Sequence, residues 1–269
     1  EADISTVAGA RGFVEAARLP LRSLRRSEDA YVDRLFAQSV SLGAPLLVAE
    51  FPRAYLDVNR EPYELDPRMF EGRVPPFANT RSMRVAGGLG TIPRIVGDGQ
   101  EIYFGRIPVQ DGLARIEDLY RPYHAGLRSL VQRTQGVFGT CILVDAHSMP
   151  SAGLDRDGLA KSDIILGDRF GTSASGYIID IAEQAFTRLG FSVTRNRPYA
   201  GGFITEHYGA PAAGVHALQI EVNRALYMNE ATLEPHAGFG EVEQAMAAVM
   251  ADCFARWSGW LDEWREAAE

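Results

Sequence analysis

Residues 138–151 read FGTCILVDAHSMPS. The run from Phe138 to Asp145 is almost wholly apolar and ends on an acid. A short apolar run of this kind predicts a strand buried on both faces. HALQIEV at 216–222 has the same character. Between the two, Ile178–Leu189 repeats apolar residues at helical spacing, and Phe191–Asn196 predicts a further strand. Buried strands alternating with amphipathic helices predict an α/β architecture, with helices on both faces of a mainly parallel or mixed sheet.

Outward from this centre, Glu28–Leu42 predicts an amphipathic helix. Tyr31, Val32, Leu35, Phe36 and Val40 recur at three and four residues, and Ser27 is the expected cap. APLLVAEF at 44–51 predicts a buried strand, and RAYLDVN at 53–59 a second strand or its continuation. Residues 60–100 are rich in Gly, Pro and Arg and predict irregular structure. So long a loop is unusual in a compact domain unless it serves a site. Arg115–Gln135 predicts a second helix, with Pro122 near its start. Residues 201–209 predict a Gly-rich loop, and 239–264 a long helix interrupted at Gly259. No linker divides the chain, so residues 1–269 are expected to form one domain.

The 269 residues are 46% hydrophobic and 23% charged, which is a globular composition. The net charge of −8 disfavours a nucleic-acid partner, which selects a basic excess. A small anionic substrate needs only a local group of arginines, and Lys161 is the one lysine among the bases. No apolar stretch approaches the roughly 20 residues that cross a bilayer, so no membrane partner is expected. EADISTVAGARG at the start lacks the basic and apolar regions of a secretory signal. Cys141 and Cys253 are too few for a disulfide framework and suit a reducing cytoplasm. Oligomeric state stays open, since the helix at 239–264 can pack within one subunit or between two.

Three strand ends carry polar residues that a packed core does not require. They are Asp57, Asn59 and Arg60 in YLDVNRE; Asp145, His147 and Ser148 in LVDAHSMPS; and Glu221, Asn223 and Arg224 in LQIEVNR. In open α/β sheets, ligand sites lie beyond the carboxyl ends of the strands. His147 alone also suits a half-buried, hydrogen-bonded histidine. Glu221 differs, because a carboxylate inside an apolar run is costly unless it is paired or functional. Asn59–Arg60 suits either an anion clamp or an ion-pair network. Asp57 alternates with Leu56 and Val58 and is expected to face solvent.

The chain resembles the N-formylglutamate amidohydrolase (deformylase) family. The resemblance is carried by RRSEDAYVDRLF (25–36), FPRAYLDVNREPYELDPRMF (51–70), GLGTIPRIVGDGQEIYFGR (88–106) and YRPYHAGL (120–127). It continues through LVDAHSMPS (143–151), GGFITEHYGAP (201–211) and HALQIEVNRALYMNE (216–230), in the family's order.

The resemblance implies a zinc-dependent amidohydrolase with a three-layer α/β/α fold similar to the zinc carboxypeptidases and aspartoacylases. It implies release of formate and L-glutamate from N-formyl-L-glutamate, the last step of one route of histidine breakdown. The implied partner is a small anionic N-acyl amino acid. His147 and Asp29 are the implied metal ligands, with Glu28 and Asp33 competing for the acidic position. Glu221 is the implied general base, and Arg53 is implied to polarise the scissile carbonyl. Asn59 and Arg60 match the carboxylate clamp, while Ser148 and His207 are implied to bind substrate. Arg94 is expected at the second carboxylate ahead of Arg84. His124 falls on a helix with a core face and is expected to be structural.

The family pattern opens with a strand and a Pro-His-Ser-Gly segment whose His is the first metal ligand. Here STVAG stands near that place at 5–9, and no His precedes His124. The first strand and its His are therefore expected to be missing or altered. Two other readings stay open: a relative that binds an acidic N-acyl amino acid without turnover, and a carboxypeptidase-like hydrolase.

Overall fold

The computed structural model describes residues 10–97, 99–154 and 162–268. They form two compact units, one from the chain up to Glu28 with Leu47–Ser129, the other from Asp29–Leu46 with Leu130 onward. The STVAG stretch at 5–9 lies outside the described residues. Among the described residues no helix is long and apolar enough to cross a membrane.

The second unit is built on a four-stranded sheet. Its strands are β1 (Cys141–Met149), β2 (Ile164–Gly167), β3 (Val193–Arg195) and β4 (Val215–Asn223). The order is β1-β4-β2-β3, with β1/β4 and β2/β3 parallel and β4/β2 antiparallel. The sheet is thus mixed and mostly parallel. Its helices are α1 (Val32–Leu35), α2 (Arg121–Phe138), α3 (Gly176–Arg188), α4 (Phe203–Tyr208) and α5 (Phe239–Ala268). The division between the units falls within α2.

Strand alternation sorts the side chains of this sheet. Leu218, Ile220 and Val222 of β4 turn to one face with Ile142, Val144 and Ala146 of β1 and Ile164 and Leu166 of β2. There they pack on Ile178, Ile181 and Phe186 of α3 and on Met246, Val249 and Met250 of α5. Truncating a fully buried member such as Ile220 to Ala is expected to cost about 2–5 kcal/mol. The alternate residues, Asp145 and His147 on β1 and Gln219 and Glu221 on β4, turn to the opposite face. Register sets Asp145 beside Gln219 and His147 beside Glu221.

The first unit has little regular structure. Its longer pieces are the helix Ala10–Ala16, the helix Val109–Arg115 and the π-helical turn Ile116–Tyr120 that leads into α2. Pro122 has no N–H for the carbonyl four residues before it, and a wider turn at that point relieves the conflict. Leu56, Leu65, Ile92, Ile102 and Ile116 are buried in this unit.

Several sequence expectations are corrected. Residues 44–51 and 53–59 are not strands. Leu46 and Val48 are exposed, and the chain turns after Pro52, whose carbonyl accepts from the N–H groups of Tyr55 and Leu56. The helix expected over Glu28–Leu42 is one α-turn, α1, followed by a 3-10 segment, Ala37–Leu42. Ser27 belongs to a separate 3-10 turn, Arg25–Ser27, and Tyr31 precedes α1 in the left-handed region at φ 66°. Residues 203–208, read as loop, form α4, because the glycines at 201 and 202 precede the helix rather than interrupt it. Finally, α5 runs through Gly259 without a break.

Candidate functional site

Among the described residues, each unit holds a buried polar cluster that includes candidates from the sequence. In the first unit the centre is Asp57. Its backbone N–H donates to the Thr91 carbonyl at 2.9 Å. Residues 55–60 are held by the helical residues after Val109. Arg115 donates to the Tyr55 carbonyl and Tyr120 Oη to the Arg60 carbonyl, while His124 Nε2 lies 2.9 Å from the Val58 carbonyl. His124 thus has the structural role expected for it. Asp57 does not face solvent as expected: it is 5% exposed. Its Oδ2 accepts from Arg53 Nε at 3.1 Å and lies 3.2 Å from Arg60 Nη2, and its Oδ1 accepts from the Asn59 N–H at 2.9 Å. The side chain folds back onto its own turn, so alternation with Leu56 and Val58 does not decide where it points.

Burial works to raise the Asp57 pKa, but Arg53 and Arg60 outweigh it and hold the carboxyl below the usual carboxylate range. Burial pulls Arg60 below the ordinary arginine value. Asp57 draws it back up, and Arg53 and Arg84 push it down again. Arg60 also donates to the carbonyls of Leu89 and Asn59. The structure therefore brings Arg53, Asn59 and Arg60 together. Arg94 is committed elsewhere, with Nε 2.9 Å from Asp66 and Nη1 3.1 Å from Glu101. Arg84 makes a longer contact, 3.8 Å from Glu64 Oε2, a buried atom with no hydrogen-bond partner among the described residues.

In the second unit the centre is His147. Tyr227 Oη donates to the Ala30 carbonyl and Tyr31 Oη to the Leu233 carbonyl. These bonds pin the turn before α1 and set Asp29 against the end of β1. Asp29 Oδ2 lies 2.9 Å from His147 Nδ1, and Asp145 Oδ1 lies 3.0 Å from His147 Nε2. Burial lowers the imidazole pKa, but Asp145 and Asp29 on its two sides outweigh it and hold it well above the ordinary histidine value. Glu28, the competing acid, pairs with Arg25 instead, and Asp33 is exposed.

Ser148 braces Asp29 from the other side. Its N–H donates to Asp29 Oδ1 at 2.8 Å, and its hydroxyl accepts from Arg224 Nε at 3.0 Å. Asn223 serves the backbone: its Oδ1 accepts from the Ala225 N–H and its Nδ2 donates to the Ser162 carbonyl. His207 is exposed on α4 and stacks on Phe203, with ring centroids 4.9 Å apart. Glu221 is 7% exposed and accepts from Gln219 Nε2 at 2.8 Å. The sequence pattern singles out neither Gln219 nor the bracing role of Arg224. The available signal was a third polar residue, Gln219, two before Glu221 in an otherwise apolar run. Burial raises the Cys141 thiol to about 11 and Cys253 to about 12, so neither is an activated nucleophile.

The zinc implied by the resemblance would take Asp29 and His147 as donors. A catalytic zinc usually keeps three protein ligands and an open position. Among the described residues no three His, Cys, Asp or Glu side chains are disposed to hold a metal ion. At His147 a metal on either ring nitrogen would replace a hydrogen bond to a carboxylate. The described residues thus offer a donor pair rather than a complete centre.

Comparison with known proteins identifies the family. A sequence profile of the family described as N-formylglutamate amidohydrolase matches residues 6–228. The chain is 30% identical over 223 residues to an N-formylglutamate deformylase of Pseudomonas putida, covering 81% of this chain and 75% of that one. It is 27% identical over 252 residues to the N-formylglutamate deformylase of Pseudomonas aeruginosa, covering 93% and 86%. The crystal structure of N-formylglutamate amidohydrolase from Ralstonia eutropha JMP134 superposes with a TM-score of 0.81 at 31% identity, over 92% of this chain and 88% of that one. The profile match takes in the strands that carry His147 and Glu221, and the chain belongs to the N-formylglutamate amidohydrolase family.

Proposed function

We propose that the chain hydrolyses the formyl amide of N-formyl-L-glutamate, yielding formate and L-glutamate. The observation that carries the reading is Glu221, a carboxylate buried on the sheet face in register with His147. Relatives named N-formylglutamate deformylase support the substrate. In this reading Glu221 takes a proton from water as its oxygen attacks the formyl carbon. It then returns the proton to the amine nitrogen as the C–N bond breaks. Arg60 holds a substrate carboxylate with a charge-assisted hydrogen bond, Asn59 adds a hydrogen bond, and Arg53 polarises the formyl oxygen. Arg84 takes the second carboxylate in place of Arg94, whose ion pairs with Asp66 and Glu101 argue against that role. Ser148 and His207 complete the contacts to substrate.

A divalent metal, zinc in this reading, would be held by Asp29 and His147 and would supply Lewis acidity toward water and a carbonyl oxygen. The sheet belongs to a zinc-carboxypeptidase-like, three-layer fold. Its mixed order, with α3 and α5 packed on one face, supports this. The family match at 6–228 supports one amidohydrolase domain. The free, buried thiols of Cys141 and Cys253 support a cytoplasmic location.

One observation favours a second reading, binding without turnover: both ring nitrogens of His147 already face carboxylates. The test is formate release by the zinc-exposed chain from N-formyl-L-glutamate, N-formyl-L-leucine and a blocked dipeptide, with bound zinc counted in the same preparation. Formate from the first substrate, with about one zinc per chain, is expected. Calorimetric binding of N-formylglutamate without formate would leave the second reading. Cleavage of the dipeptide would indicate a carboxypeptidase-like hydrolase.

A further inference from the structure

We infer that Gln219 is a positioning residue that fixes the carboxylate of Glu221 for proton transfer; the inference rests on the general-base reading above. Gln219 is 4% exposed and lies two residues before Glu221 on the same face of β4. Its Oε1 accepts from the backbone N–H of Gly202 at 2.8 Å, and its Nε2 donates to Glu221 Oε1 at 2.8 Å. The partners themselves dictate this orientation. A backbone N–H can only donate, so the amide oxygen must face Gly202, and the amide nitrogen is then turned to the carboxylate. A flipped amide would set donor against donor on one side and acceptor against carboxylate on the other.

The fold is shaped to deliver that N–H. Gly167 of β2 is the cross-strand partner of Gln219. A Cβ at Gly167 would meet the Ala200 carbonyl carbon at 2.7 Å and the Gly201 nitrogen at 2.9 Å. Its absence lets the 200–202 backbone cross the sheet face beside Gln219. Gly201 adopts φ 122°, a conformation open to glycine, and Thr205 Oγ1 donates to the Gly202 carbonyl at 2.9 Å. The donor is therefore locked before substrate arrives. Glu221 is a short lever on a rigid strand, and its bond to Gln219 restricts its rotamer. Misplacing a reacting group by about 1 Å can cost on the order of 100-fold in rate.

The test uses Gln219→Met, which keeps the length of the side chain and removes both polar contacts. The expected result is a fall in kcat of about 10- to 100-fold with KM within about twofold. The double variant Q219M/E221Q is expected to be as slow as Glu221→Gln alone, because a positioning residue has nothing left to position. Gln219→Glu, equal in shape but with an acceptor facing Glu221, carries the same test should the Met variant fail to fold. A measurement on the unaltered chain stands beside these. The Gln219 side-chain amide protons should be protected from exchange, and the protection should fall in Glu221→Ala. Unchanged kcat in a folded Gln219 variant, a loss confined to KM, additive losses in the double variant or an unprotected amide would overturn the inference. An unaltered chain that releases no formate would contradict the proposed reaction instead, so the two failures are distinguishable.

Discussion

The two polar clusters are electrostatic opposites. In the first unit one buried acid, Asp57, lies between two guanidiniums, Arg53 and Arg60. In the second unit one imidazole, His147, lies between two carboxyl groups, Asp29 and Asp145. The first arrangement carries excess positive charge and favours an anion. The second carries excess acid, with Glu221 on the neighbouring strand, and favours a proton or a metal cation. Each centre is the counter-ion of its neighbours, which explains how charge survives burial in both. The difference is consistent with the proposed reading, in which the arginine cluster recognises carboxylate and the acidic sheet face transfers the proton.

The largest effect that would break this contrast is structural. Asp57→Ala leaves two guanidiniums without their shared acid. The expected loss is about 3 kcal/mol, the low end for a broken buried pair because Arg53 keeps contact with water, and urea unfolding reads it. Next comes Arg60→Met, expected to raise KM for N-formylglutamate about 10- to 100-fold, the value of a charge-assisted bond of about 1.5–3 kcal/mol, with kcat little changed. Arg84→Met should raise KM about tenfold, the low end of the same range, and Arg94→Met should lower stability without moving KM. Equal KM effects of Arg84 and Arg94 would undo that distinction.

The pH dependence should differ in sign between the clusters in chelator-treated protein. Asp57 has a depressed pKa in the folded state, so its contribution is complete above the unfolded value of about 3.9 and is lost as pH falls through the depressed value. His147 has a raised pKa, so its contribution is complete below about 6.5 and is lost as pH rises through the raised value. Asp57→Ala should flatten the acid limb of the stability curve, and His147→Gln the alkaline limb. Ser148→Ala is the smallest change expected, about 1 kcal/mol of stability, since the Ser148 N–H to Asp29 survives it.

The buried strands were legible because a continuous apolar run bounded by turns has few other solutions. Val215–Asn223 therefore falls where its apolar run predicts it, while Cys141–Met149 starts three residues after the expected Phe138, which closes α2, and runs four residues past the expected end at Asp145. The apolar run at 44–59 misled because it contains single buried residues, Ala54 and Leu56, on a turning chain rather than one buried extended segment. At the site, the candidate residues stood out as polar groups at strand ends. Their partners did not: Arg94 meets Asp66 across 28 positions, and His147 meets Asp29 across 118, which no local pattern encodes. Gln219 was hidden for a different reason. An uncharged amide in an apolar run reads as tolerated polarity until the Gly202 N–H and the Glu221 carboxylate are seen on either side of it.

The most direct test of the central claim compares formate released per chain by the unaltered protein and by Glu221→Gln, both exposed to zinc and saturated with N-formyl-L-glutamate. The account predicts formate and glutamate in equal amounts from the unaltered chain. It predicts a rate about 10²- to 10⁴-fold lower in the variant with substrate still bound, the usual weight of a general base. A variant as fast as the unaltered chain would contradict the assignment of proton transfer to Glu221.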